Sequence, residues 1–333
     1  MKAMVKRGGL PLIVVIVLSI LAAPPVTAGQ QPAAARTIGL LYPGAPPPPT
    51  PRAVEWLTNG LRQYGYGGKE GVPIEVRYGS NRSDRLSQHA HEFVRRPVAV
   101  IVAFGDNATR AAQQATATIP IVAAVGEPVR SGFAASLARP GGNITGVSRM
   151  VDDLLPKRLE LLKEMVPGLR RVAVLWDPVG AHVQQVQVAQ GAARALGLEI
   201  LTVEARERGE IEGALDAARR EQAGGLLVLV SPFLRQFSPL LGELTDRKRL
   251  PAVGDGGDFV AGGGLISYGP DDQTLYSVDA ARIVDRVLKG AKPADLPFQQ
   301  PTRFELAVNL KTAKGLGLTA PQTVLVRATQ VIQ

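Results

Sequence analysis

Four aromatic and four acidic side chains fall at or just past the ends of apolar runs in this chain. That placement points to recognition of a charged organic molecule. The aromatics are Tyr42, Trp176, Phe233 and Tyr268, in a sequence with only 5% aromatic residues. The acids are Asp106, Glu127, Asp177 and Asp255. An aromatic face attracts a cation through its quadrupole and a carboxylate supplies the opposite charge, so the set suits a ligand with an ammonium group and an apolar or planar body. Asn107 and Ser231 add hydrogen-bonding groups at similar positions. Structural readings stand beside these: Asp106 and Asp177 can equally cap the helices that follow, and Tyr268 can simply pack. Trp176 is a less comfortable core residue, because its indole N–H needs a partner and polar neighbours surround it.

Catalytic patterns are missing from the chain. No serine lies in a Gly-x-Ser-x-Gly elbow, no glycine-rich loop ends in Gly-Lys-Ser/Thr, and no Gly-x-Gly-x-x-Gly follows a strand. Asp255-Gly256-Gly257-Asp258 reads as a turn. With no cysteine, the chain has no disulfide framework, thiolate metal site or lipid-anchored cysteine. Of its three histidines, His89 and His91 point to different faces of a helix, and His182 opens another. Neither arrangement makes a metal site, and no cofactor is expected. Net charge is +9, of which Lys2, Lys6 and Arg7 supply three. The remaining basic residues are interleaved with acids and form no stripe for nucleic acid. Arg247-Lys248-Arg249 fits a helix C-terminus, where cations complement the dipole.

The elements that must hold these residues alternate between strand and helix. Continuous apolar runs at Ile38–Tyr42, Ile74–Tyr78, Val98–Ala103 and Ile119–Val125 predict strands buried on both faces, as in a parallel sheet covered by helices. A second series runs through Val172–Leu175, Ile200–Val203, Leu226–Val230 and Leu265–Tyr268. Leu155, Leu159, Leu162 and Val166 follow a helical period that Pro167-Gly168 stops, and Tyr276, Ala280, Ile283, Val284 and Val287 line another helix. Two such series give two doubly wound α/β lobes, joined near Gly141–Gly146, with binding sites at the carboxyl ends of the strands. The proline run Pro46–Pro49 stiffens a loop at the rim.

The first residues read as a secretion leader. A basic start is followed by an apolar stretch, Leu10–Leu21, and by a small-residue cleavage site at Val26-Thr27-Ala28. The apolar stretch is shorter than the roughly 20 residues of a membrane span. A signal peptide over residues 1–28, a flexible lead-in to Arg36 and release into the periplasm are the expectations.

Several segments resemble the substrate-binding proteins of ABC transporters, in particular the tryptophan/tyrosine-type group. They are Gly126-Glu127-Pro128-Val129, the stretch Leu137–Val147, Pro156–Leu162, Gly263–Pro270, Lys289–Pro297 and Phe304–Lys314. The resemblance spans nearly the whole chain after the leader. It implies a type I periplasmic-binding fold, a Venus-flytrap of two lobes joined by three crossover strands near Gly146-Val147, Tyr268-Gly269-Pro270 and Pro301–Glu305. Lobe 1 would comprise residues 36–146 and 270–300, and lobe 2 residues 147–269 and 301–333. The resemblance also implies capture of a small ligand by hinge closure and an ABC permease as partner of a monomeric protein. A ligand-sensing subunit of a receptor is the alternative. Relatives carry Thr or Ser where this chain has Asp106-Asn107, and Asn where it has Asp177, so a relative's ligand does not transfer directly.

Overall fold

The apolar runs form two sheets. The structure, a computed structural model, describes Met1 and residues 37–46, 50–68, 71–178 and 182–333. The leader, the lead-in to Arg36 and Pro47–Pro49 lie outside the described residues, among which no helix is long and apolar enough to cross a membrane. Both sheets belong to the unit Ala34–Gln333. In the first, β1 (Ile38–Tyr42), β2 (Ile74–Tyr78), β3 (Val100–Phe104), β4 (Ile121–Val125) and β5 (Ile144–Ser148) are all parallel, in the order β2-β1-β3-β4-β5. Helices α1 (Arg52–Gln63), α2 (Ser83–Arg95) and α3 (Gly105–Ala115) connect successive strands.

Cover on both faces accounts for the unbroken apolar character of β1, β3 and β4. By contrast β2, at the edge of the sheet, alternates with Glu75 and Arg77 and is only half-buried, contrary to the expectation of burial on both faces. Ile38, Leu40, Val100 and Val102 pack with Leu57 and Leu61 of α1. Their neighbours Leu41, Ile101 and Ala103 turn the other way, against Leu86 and Phe93 of α2 and Ala112 of α3. This is the two-residue alternation of a strand with apolar partners above and below. Each such aliphatic contributes about 1.5–3 kcal/mol relative to exposure.

The second sheet holds β6 (Arg171–Trp176), β7 (Glu199–Glu204), β8 (Gly225–Val228), β9 (Ala252–Gly254), β10 (Ile266–Pro270), β11 (Phe304–Asn309) and β12 (Gln330–Ile332). Its order is β12-β11-β10-β9-β8-β6-β7, with β11 antiparallel to β10. Around it lie α4 (Leu155–Met165), α5 (His182–Ala195), α6 (Ile211–Arg220), α7 (Pro232–Gln236), α8 (Ser238–Arg247) and α9 (Gly257–Ala261). The chain thus builds two doubly wound α/β lobes. As the basic run implies, α8 ends at Arg247, and Lys248 just beyond pairs with Asp216 and Glu212 of α6.

The chain passes between the lobes after β5, after β10 and before β11. At the second passage it returns through α10 (Asp272–Thr274), a π-helical turn over Leu275–Ala280 and α11 (Ala281–Leu288), which pack against the first sheet. The first passage carries strain: Met150 has φ +52°, a left-handed conformation that non-glycine residues rarely adopt, and Ser148 Oγ accepts from its N–H at 3.2 Å.

Candidate functional site

Each sheet reverses its winding once, between β1 and β3 in the first and between β6 and β8 in the second. Loops leaving such neighbours diverge and open a crevice at the strands' carboxyl ends. The two crevices share one cavity, with Tyr42, Phe104, Asp106 and Glu127 on one side and Asp177 and Ser231 on the other. The lobes approach closely at Gly105. A side chain there would meet Pro232 Cγ at 2.8 Å, and the residue sits at φ +75°, so glycine satisfies both backbone and packing.

An aromatic wall lines the first-lobe side. Tyr42 meets Phe104 edge-on at 5.6 Å between ring centroids, and Phe104 is tilted against Tyr276 at 5.8 Å. Trp56 of α1 stacks on Tyr276 at 6.5 Å. Burial pushes the Tyr276 phenol up to about 12 and raises that of Tyr42 as well, so both hydroxyls remain proton donors. Across the cavity, Phe233 is buried edge-on against Phe237 at 5.3 Å, and Ser231 caps α7 by accepting from Leu234 N–H at 2.9 Å. The Gln185 amide holds the Val230 backbone through N–H donated and N–H accepted, at 3.2 and 3.3 Å.

Beside the crossovers lies a buried ion network. Asp255 accepts from Arg149 Nη2 at 2.8 Å, from Arg158 Nη2 at 2.6 Å and from Arg235. Asp272 accepts from Arg149 Nη2 at 2.9 Å and pairs with Arg235 at 2.5 Å. Arg158 is wholly buried and also donates to the Tyr268 carbonyl at 2.7 Å. Burial by itself would raise the Asp255 carboxyl, but the guanidiniums of Arg149, Arg235 and Arg158 outweigh it and hold the group well below the usual carboxylate range. Arg149 and Arg235 line the cavity; the two aspartates lie behind them.

Elsewhere the cavity wall is acidic. Glu127 and Asp152 lie there with Asp106 and Asp177, and Arg130 pairs with Asp152. Asp106 accepts from the Ser131 hydroxyl. Burial, helped by the nearby Asp152 and Asp153 carboxylates, pushes Glu127 up to about 7, although it accepts from the Asp152 N–H at 3.2 Å and feels Arg130. A carboxyl so poised gains a proton or a cation near neutrality.

Tyr42, Asp106, Asn107, Glu127, Asp177, Ser231 and Phe233 therefore converge on one cavity, as their positions at strand ends suggest. Trp176, Asp255 and Tyr268 do not line it. Trp176 leans on the core beneath α4 and α5, Tyr268 stacks on Phe304 at 6.0 Å, and Asp255 is taken up by the three arginines. The expectation of an ammonium contact to Trp176 and Asp255 yields to these packing and pairing roles. Arg149, Arg235, Phe104 and Tyr276 are the residues that strand-end reasoning about aromatics and acids passed over, although Phe104 and Arg149 occupy the same kind of position as Asp177. His89 and His91 interact locally, with Glu92 and the Ser87 carbonyl.

Comparison with known proteins matches residues 48–332 to the family described as ABC transporter substrate binding protein. A tyrosine-binding protein of Clostridioides difficile is 25% identical over 276 residues, covering 81% of this chain and 78% of its own. A crystal structure of a conserved domain protein from Vibrio cholerae superimposes with a TM-score of 0.81 at 25% identity, covering 90% of this chain and 99% of its own. An ABC domain from Streptococcus pneumoniae in complex with L-Trp gives 0.80 at 24% identity, covering 90% and 100%.

Proposed function

We propose, from the premise that this chain belongs to the ABC transporter substrate-binding protein family, that its ligand is a free amino acid with a planar side chain. The family binds ligands and is not a family of enzymes. One observation carries the reading: a single cavity combines an aromatic wall of Tyr42, Phe104 and Tyr276 with both carboxylates and guanidiniums. A cation alone would leave Arg149 and Arg235 facing it, and an anion alone would face the carboxyl of Glu127. A zwitterion answers both, and a planar side chain covers the rings. The tyrosine-binding relative in C. difficile agrees with this class.

The protein works outside the cytoplasm, released into the periplasm after cleavage behind Ala28, and presents its closed form as a monomer to an ABC permease. Ligand contacts from both lobes are what favours closure, because only a difference in affinity between open and closed forms shifts their balance. Moving from 1:99 to 99:1 takes about 5.5 kcal/mol of that difference. Gly146 and Gly269, beside two of the crossovers, are the hinge positions.

A thermal-shift screen over amino acids, polyamines, purines and small aromatic acids tests the ligand class. A ligand at 100 times its dissociation constant adds about 2.7 kcal/mol to stability. Tryptophan, tyrosine or phenylalanine should give the largest shift. A polyamine, purine or sugar leading the screen, with aromatic amino acids silent, overturns the reading.

A further inference from the structure

The ion network near the crossovers is not neutral. Arg149, Arg158 and Arg235 bring three positive charges against the two negative charges of Asp255 and Asp272. One positive charge is left in a region where Arg158 is wholly buried and Arg149 only 7% exposed. Arg149 and Arg235 bring the network's net charge to the cavity wall, although both Nη atoms of Arg235 already pair with Asp255 and Asp272. An unbalanced charge in such surroundings is costly unless something of opposite sign arrives.

Two hydroxyls stand beside it. Tyr42 and Tyr276 are 5% and 4% exposed, both line the cavity, and neither phenol hydroxyl bonds to another described residue. Phe104 brings the two phenols together, at 5.6 Å from the Tyr42 ring and 5.8 Å from the Tyr276 ring, and Arg149 and Arg235 line the same cavity. A hydroxyl that faces the cavity without a protein acceptor is free to donate, and an incoming oxygen anion would accept that hydrogen bond.

We propose that Tyr42, Tyr276 and Arg235 form an anion subsite at the crossover end of the cavity, and that it takes the carboxylate of the ligand. The assignment rests on the amino-acid reading above and gives it a direction: the carboxylate lies toward the crossovers and the ammonium toward Glu127 and Asp106. These three residues thereby set specificity, accepting amino acids and rejecting the matching amines.

Calorimetric titration with L-tryptophan, tryptamine and indole-3-propionate tests this on the wild type and on Tyr42→Phe and Tyr276→Phe. Wild type should bind L-tryptophan at least ~100-fold more tightly than tryptamine, whose missing carboxylate leaves the charged donors unmatched. Each Phe variant should weaken L-tryptophan about 10-fold while shifting tryptamine less than ~2-fold, because only the carboxylate uses the hydroxyl. If one Phe variant fails to fold, the other supplies the same comparison, since each removes one hydroxyl and leaves the ion network in place. Equal weakening of both ligands, or tryptamine bound as tightly as L-tryptophan by the wild type, overturns the subsite but leaves amino-acid binding standing. No binding of L-tryptophan, L-tyrosine or L-phenylalanine by the wild type overturns the functional reading and the subsite together.

Discussion

Arg235 Nη2 lies 2.5 Å from Asp272 Oδ2, and this pair joins the lobes. Arg235 belongs to α7, beside the second sheet, whereas Asp272 opens the helical segment that packs on the first. The same guanidinium also reaches Asp255, so a side chain facing the cavity is tied to both crossovers' charge network. The cavity wall and the position of the lobes are thereby linked through one residue.

Removing the carboxylate at the centre of that network should be severe. Asp255→Asn leaves Arg149, Arg158 and Arg235 short of a buried partner, and breaking a buried pair costs about 3–5 kcal/mol. Urea denaturation should show that loss as a lower midpoint. A midpoint equal to wild type would mean the network adds nothing to folding.

Gly105→Ala should weaken ligand binding more than it weakens the fold. The backbone strain at φ +75° costs roughly 1–2 kcal/mol. The added methyl also meets Pro232 across the cleft, at 2.8 Å from Cγ, which penalises any form in which the lobes approach as they do here. Comparing the dissociation constant for an aromatic amino acid with the melting temperature of the free protein separates the two effects. Unchanged affinity would show that the lobes need not approach there.

Amino-acid affinity should rise between pH 6 and pH 8. Glu127, pushed up to about 7 mainly by burial, is largely protonated at the lower pH and must lose that proton to receive an ammonium. The sign for folding is opposite. A carboxyl that holds its proton better in the folded state than in the unfolded chain favours folding most below its ordinary value, and that contribution fades as pH rises through about 7. Titrations in two buffers of different ionisation heat should detect proton release on binding, and Glu127→Gln should flatten the pH profile. A flat wild-type profile would remove Glu127 from the ammonium's partners.

Fluorescence assigns the reporter. The chain has two tryptophans, and Trp56 stacks on the cavity residue Tyr276 whereas Trp176 faces the core beneath α4 and α5. L-Tyrosine added under tryptophan-selective excitation should change emission in the wild type and in Trp176→Phe, and much less in Trp56→Phe. The reverse pattern would put the ligand near β6 instead.

The strands were legible where both faces are covered. Ile38–Tyr42 coincides with its apolar run, and the helix that Pro167-Gly168 stops ends at Met165, whereas Ile74–Tyr78 is found at its predicted bounds as a half-buried edge strand. β9 and β12 are three residues each, too short for a periodic signal, and the π-helical turn at Leu275–Ala280 still presents an apolar face that reads as ordinary helix. Within the cavity, Asp106, Glu127 and Asp177 were legible because strand ends of a doubly wound sheet converge. The ion network was not. Its partners lie 97 to 123 residues apart in four of its contacts, and nothing local distinguishes Arg149 or Arg235 from a solvated arginine. For the same reason Asp255 read as a ligand group: its charge is evident in the sequence and its three neutralising partners are not.

Small-angle scattering with and without saturating L-tryptophan tests most directly whether an amino acid is captured between the lobes. The radius of gyration should fall in the complex and recover on dialysis, with glucose producing no change. A radius unchanged by any aromatic amino acid, at concentrations where calorimetry records binding, would contradict capture by closure.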